Sequence, residues 1–131
     1  MEKAPLYLIQ IAVLLLSVSI HESAHAWMAE KFGDPTGRMQ GRITLNPLPH
    51  IDPFGSILLP VILAISGAPV FGWAKPVLVN MRNVRNPKKA NIYISAAGPL
   101  SNIIAATIGT IIFLILKKTG IISMYSTSGF N

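Results

Sequence analysis

The chain has no cysteine and little charge, with five acidic and eleven basic side chains making up 12% of its residues, where about 25% is usual for soluble domains. Without cysteine there are no disulfides, thiolate metal ligands or cysteine nucleophile, so any metal must be held by histidine, aspartate or glutamate. The shortage of charge accompanies 51% hydrophobic residues and a mean hydropathy of +0.52, which excludes an ordinary water-facing surface and points to a lipid bilayer. A net charge of +6 raises the question of nucleic acid. The basic residues, however, lie between long uncharged stretches with no aromatic-interleaved patch, so no nucleic-acid partner is expected. At 131 residues the chain can form one compact unit and is too short for two ordinary domains.

Three uncharged or nearly uncharged stretches organise the chain. Between Ala4 and Ala29 the sole charged residue is Glu22, and the spacing predicts a transmembrane helix over about 5–28. No small-residue cleavage site follows it, so it reads as retained and not as a removed signal peptide. Gly33-Asp34-Pro35-Thr36-Gly37 breaks the helix, and the alternation from Arg38 to Leu45 predicts a short β element at 38–45. Pro47, Pro49 and Pro53 then forbid a continuous helix. Phe54 to Trp73 is uncharged but carries Gly55, Pro60, Gly67, Pro69 and Gly72, so about 55–72 is expected to be a re-entrant or third spanning segment. Ala90 to Leu116 is uncharged and closes on Lys117-Lys118, predicting a second transmembrane helix over about 91–116 with Gly98-Pro99 as a kink or packing point. The expected fold is an all-α membrane protein, one membrane-embedded core over 1–131, with a polar tail at 119–131.

Charge distribution bears on topology. Lys31, Arg38 and Arg42 precede the middle segment, and Lys75, Arg82, Arg85, Lys88 and Lys89 follow it. A hairpin that enters and leaves on one side gathers all of them in the cytoplasm, opposite Lys3 and Lys117-Lys118, as the positive-inside rule requires. Trp27 and Trp73 suit interfacial anchors.

His21-Glu22-Ser23-Ala24-His25 lies at the inner end of the first span. Residues four apart share a helix face, so His21 and His25 can direct imidazoles at one Zn²⁺ while Glu22 acts as the general base. Ionisable groups at membrane depth are costly and usually mark function. A catalytic zinc takes three protein ligands, and a carboxylate is the expected third. Downstream of His25 the acidic residues are Glu30, Asp34 and Asp52. Asp52 is the metal candidate if the connector folds back, against its ordinary role as a turn or helix cap before Pro53. Asn102, inside the last span, is a candidate donor to a substrate carbonyl or oxyanion, against a role as polar glue between helices.

Several motifs together resemble the site-2 protease family of intramembrane zinc metalloproteases, in its compact prokaryotic branch. They are His21-Glu22-Ser23-Ala24-His25-Ala26-Trp27, Gly33-Asp34-Pro35-Thr36, Gly41-Arg42-Ile43-Thr44-Leu45-Asn46-Pro47, His50-Ile51-Asp52-Pro53, Gly72-Trp73-Ala74-Lys75-Pro76-Val77 with Asn80, and Ala97-Gly98-Pro99-Leu100-Ser101-Asn102. The resemblance implies an endopeptidase of the prokaryotic cytoplasmic membrane. It would carry one Zn²⁺ per active site near the cytoplasmic face, with His21 and His25 as ligands, Glu22 catalytic, and membrane-embedded proteins as substrates. The family pattern continues into a further helix whose Asp-Gly aspartate is the third ligand. No such helix follows Lys118, so the chain is expected to be C-terminally incomplete, with a partner chain or second copy as another source of that ligand. The alternative is a catalytically inactive membrane adaptor that keeps the scaffold.

Overall fold

The computed structural model describes residues 3–122. Most of the expected polar tail, from residue 123 onward, lies outside them. The first helix, α1, runs Ala4–Lys31. Its end is a Schellman closure: Gly33 N–H donates to the Glu30 carbonyl at 3.0 Å and Asp34 N–H to the Ala29 carbonyl at 3.0 Å. Gly33 holds φ +108°, and a Cβ there would stand 2.7 Å from the Asn83 carbonyl, so only glycine fits this stop. A single turn, α2 (Thr36–Met39), packs against α1 where Gly37 leaves no room for a side chain over Ala26.

The two long helices pair antiparallel. α4 (Pro87–Lys118) lies along α1 so that Ala29 meets Ala90 and Ile94 in the buried core with Val84. Met28, Phe32 and Val79 pack against that cluster. Small buried residues, Ala26 and Ala29 on α1 and Ala90, Ala97 and Gly98 on α4, let the backbones approach closely, as helices packed in lipid do. Elsewhere both helices expose large apolar side chains, from Leu6 to Leu16 on α1 and from Leu100 to Ile115 on α4. Each is long and apolar enough to cross a membrane, and the most apolar window of α4 has none of its residues buried by the rest of the protein. Soluble monomers rarely leave an apolar belt of that size bare in water.

The middle segment is a hairpin. A π-helical turn, Pro53–Leu58, runs into α3, Leu59–Ser66, which stops at Gly67 with φ +76°. Together they rise about 20 Å at 1.5 Å per residue, short of the roughly 30 Å of a bilayer core. The chain then returns, so that Trp73 N–H donates to the Gly55 carbonyl at 3.0 Å and Lys75 N–H to the His50 carbonyl at 2.8 Å. The mouth is closed by two glycines, because a Cβ on Gly72 would lie 2.2 Å from the Gly55 carbonyl oxygen and one on Gly55 would overlap the Trp73 indole.

The short β element expected at 38–45 does not form, and no strand exists among the described residues. Arg38 and Met39 finish the turn of α2, Arg42 N–H returns to the Gly37 carbonyl at 2.8 Å, and Gly41 sits at φ +69°. Beyond that turn the backbone is claimed by side chains. Ser23 Oγ donates to the Thr44 carbonyl at 2.6 Å and accepts from Thr44 N–H at 3.0 Å, and His50 Nε2 donates to the same carbonyl at 2.9 Å. The alternation of side chains is there, but among the described residues no partner strand pairs with it.

Candidate metal centre

One helical turn places His21 and His25 on the face of α1 turned toward α4, and their Nε2 atoms lie 3.0 Å apart. The rings meet edge to face, with centroids separated by 4.6 Å. His25 is oriented from behind: its Nδ1–H donates to the Ile94 carbonyl of α4 at 2.6 Å. A backbone carbonyl has two lone pairs, so the Ile94 oxygen can take this side-chain donor within the helix. His21 Nδ1 faces the Asn102 amide, Nδ2 at 3.3 Å. Backbone or amide groups behind each ring, with Nε2 atoms converging in front, form the arrangement that holds histidines in metal sites.

Gly98 makes the space in front of the rings. A Cβ on it would stand 2.5 Å from His25 Nε2 and 2.7 Å from His21 Nε2, so the helix crossing leaves a gap only where the two nitrogens meet. That gap and the two neutral-capable imidazoles fit a borderline cation such as zinc as two of its ligands. Among the described residues no cluster of three histidine, aspartate or glutamate side chains is gathered.

Glu22 projects from the same turn, partly exposed, beside Arg42. Arg42 is 3% exposed and donates from Nη1 to the Pro76 carbonyl at 3.1 Å and from Nη2 to the Lys75 carbonyl. Burial pulls its guanidinium below the ordinary value, and the Glu22 carboxylate acts the other way. Asp52 is engaged elsewhere. Its Oδ1 accepts from Phe54 N–H at 3.0 Å, capping the π turn, and its Oδ2 accepts from Trp73 Nε1 at 2.9 Å. Those bonds hold its carboxyl below the ordinary range and tie it to the hairpin mouth, while the histidine pair faces α4.

The structure adds residues that sequence reasoning passed over. Ser23 anchors the connector from inside the motif, Arg42 joins the two connectors, and the Ile94 carbonyl orients a candidate ligand. Asp34, fully buried, accepts from Thr36 N–H and Oγ1, Asn80 N–H and Asn83 Nδ2. Gly98-Pro99 carried a visible signal, read as a kink or packing point, while Ser23, Asp34 and Arg42 stood inside the family-like motifs without an assigned role. Beside the motif lies a largely apolar cavity of about 350 Å³ between α1 and the hairpin, with Leu15, Val18, Ser19, His50, Pro60 and Trp73 among its walls. Leu15, Val18, Ser19 and Glu22 share one face of α1 by their spacing, so the cavity wall runs on toward the carboxylate.

No protein-family model matches the chain, and no solved structure is significantly similar. Among curated proteins it is 44% identical over 110 residues to "Putative zinc metalloprotease YwhC" of Bacillus subtilis (strain 168), covering 84% of this chain and 47% of that protein. It is 34% identical over 103 residues to "Putative zinc metalloprotease Rip2" of Mycolicibacterium smegmatis, covering 78% and 38%. The protein of that name from Mycobacterium tuberculosis H37Rv is 32% identical over 104 residues, covering 79% and 39%. The chain thus spans about half or less of the length of these relatives. With the convergent histidines and the similarity across most of its residues, the chain belongs to the family of these zinc metalloproteases, the site-2 protease family.

Proposed function

We propose that the chain forms the amino-terminal, zinc-holding part of an intramembrane endopeptidase that hydrolyses peptide bonds of membrane-embedded proteins. The observation that carries this reading is the 3.0 Å approach of the His21 and His25 Nε2 atoms in the gap opposite Gly98. His21 and His25 would hold the metal, with a third ligand still to join them. When bound, zinc supplies the Lewis acidity that makes a water nucleophilic at neutral pH. Glu22 takes the proton of the attacking water and returns it to the leaving amine. Arg42 balances the Glu22 charge and fixes the connector beside it.

A transmembrane helix shields its own peptide bonds, so a substrate must unwind before it is cut. The cavity between α1 and the hairpin suits apolar side chains of such an extended segment and leads along α1 toward Glu22. The basic residues Lys31, Arg38, Arg85, Lys88 and Lys89 gather at the end where α1 stops and α4 starts, Arg85 N–H donating to the Phe32 carbonyl at 2.8 Å. Lys31 lies over Trp27 at 5.1 Å and Lys89 over Tyr93 at 5.6 Å, contacts suited to a headgroup layer. By the positive-inside rule that end faces the cytoplasm, with the histidines about two to three turns deep from it.

The test is cleavage of a membrane-anchored reporter by the purified full-length protein together with metal analysis. The reading requires cleavage that Glu22→Gln abolishes while zinc stays bound. If neither form cleaves and neither holds zinc, the chain is a non-catalytic membrane adaptor.

A further inference from the structure

We propose that the cavity between α1 and the hairpin is a subsite for the unwound substrate, in which the apolar walls take one bulky uncharged side chain and His50 Nδ1 accepts the main-chain N–H beside it. The inference rests on the endopeptidase reading above and adds to it the class of residue near the cut and the side chain of the protein that reads it.

Four side chains with polar atoms line the cavity, Ser19, His50, Ser56 and Trp73. Three are engaged by the protein itself. Ser19 Oγ donates to the Leu15 carbonyl at 2.7 Å, Ser56 Oγ donates to the Trp73 carbonyl at 2.7 Å, and Trp73 Nε1 donates to Asp52 Oδ2 at 2.9 Å. His50 is engaged only by half: Nε2 meets the Thr44 carbonyl at 2.9 Å, while Nδ1 is buried with no hydrogen-bond partner among the described residues. Its main chain is fixed on both sides, the N–H donating to the Pro47 carbonyl at 2.9 Å and the carbonyl accepting from Lys75 N–H at 2.8 Å. The ring, 1% exposed, is thus held as part of the wall.

A histidine that only clamped Thr44 would need one nitrogen, and native interiors rarely leave the other unpaired. The Thr44 carbonyl can only accept, so the ring N–H faces it and Nδ1 offers a lone pair to a donor. An unwound transmembrane segment brings such donors, because its main-chain N–H groups lose their helical carbonyls at a depth where lipid supplies no replacement. The rest of the cavity sets what sits beside that N–H. About 350 Å³ bounded by Val18, Pro60 and Phe71 suits a large apolar side chain. With no charged side chain among those walls, a carboxylate or ammonium there would be buried unpaired. One acceptor in an otherwise apolar pocket is the pattern that fixes an occupant's orientation.

The experiment uses the full-length protein in lipid nanodiscs and a synthetic transmembrane reporter, scanned around its cleavage site in two ways. Each side chain is changed in turn to Phe, Ala or Asp, and each main-chain amide in turn to an ester, which removes the N–H and little else. The parent protein should show one position where Phe is cut at least about tenfold faster than Ala, with Asp refused, and an adjacent ester that lowers kcat/KM about tenfold. His50→Phe should keep zinc, raise KM for the all-amide reporter and erase the ester effect. His50→Gln, which carries an N–H and an acceptor oxygen at like spacing, should restore both. Val18→Trp should fill the cavity and turn the preference from Phe to Ala. The proposal is overturned if no position shows the paired preferences, if the ester effect survives His50→Phe, or, should that variant not insert, if Val18→Trp leaves the preference unchanged. Where the parent cuts no reporter, binding of the labelled uncut peptide is read instead. The same dependence on Phe, ester and His50 then upholds the subsite while the endopeptidase reading fails, and no dependence overturns the subsite as well.

Discussion

The Arg42 guanidinium donates from Nη1 to the Pro76 carbonyl at 3.1 Å, joining the connector that leaves α1 to the extended chain that leaves the hairpin. With its second bond to Lys75, it holds both connectors beside Glu22. Arg42→Ala should lower stability by about 2 kcal/mol, the scale of hydrogen bonds from a charged donor. Arg42→Lys should recover only part of it, because an ammonium cannot span two carbonyls as the planar fork does. Thermal unfolding in detergent measures both, and equal midpoints for the lysine variant and the parent protein would refute the two-carbonyl clamp.

Gly98 governs access to the histidine nitrogens. Gly98→Ala adds a methyl where a Cβ would stand 2.5 Å from His25 Nε2, so the helices must part or the rings must turn. Zinc affinity should fall at least about tenfold while the two helices remain inserted. Metal stoichiometry after dialysis checks it. Gly109 on the same helix has nothing near its Cβ position and is the control.

Glu22→Gln keeps shape and removes the carboxylate proposed as the base. Reporter cleavage should drop by about 10²- to 10⁴-fold, with bound zinc unchanged by metal analysis. A parallel loss of zinc would instead make Glu22 part of the metal shell.

The buried Asp34 gives the fold an acid-sensitive joint. Burial pushes its carboxyl up, but the hydrogen bonds from Thr36, Asn80 and Asn83 together outweigh that and leave it below the usual value. A carboxyl depressed in the folded state contributes stability that is present above the unfolded-state value of about 3.9 and is lost as pH falls through the lower folded value. Asp34→Asn should therefore be less stable than the parent near neutral pH, with the gap narrowing below about pH 4. Unfolding midpoints across that range read the difference, and a gap independent of pH would sink the assignment.

The two spans, the hairpin and the histidine motif were legible because each is written locally. Uncharged length marks α1 and α4, proline and glycine forbid a third straight helix, and a spacing of four puts His21 beside His25. What could not be read depends on partners far along the chain. Ile94 acts through a backbone carbonyl that no side-chain pattern encodes, and Asn102 reaches His21 only because α4 runs antiparallel to α1 at this register. The alternation at 38–45 misled for the same reason: period-two patterning specifies a strand only where a neighbour exists to pair with it, and here Ser23 and His50 take that backbone instead.

Each imidazole is steadied by the opposite helix, His25 by Ile94 and His21 by Asn102, so neither helix owns a finished site. In lipid, where helices insert first and associate afterwards, cation capture by the proposed site would follow their docking and then hold them together. Stripping the ion with a chelator should consequently loosen the α1 and α4 pair, a change that cross-linking between Ala29 and Ala90 positions would register as slower capture.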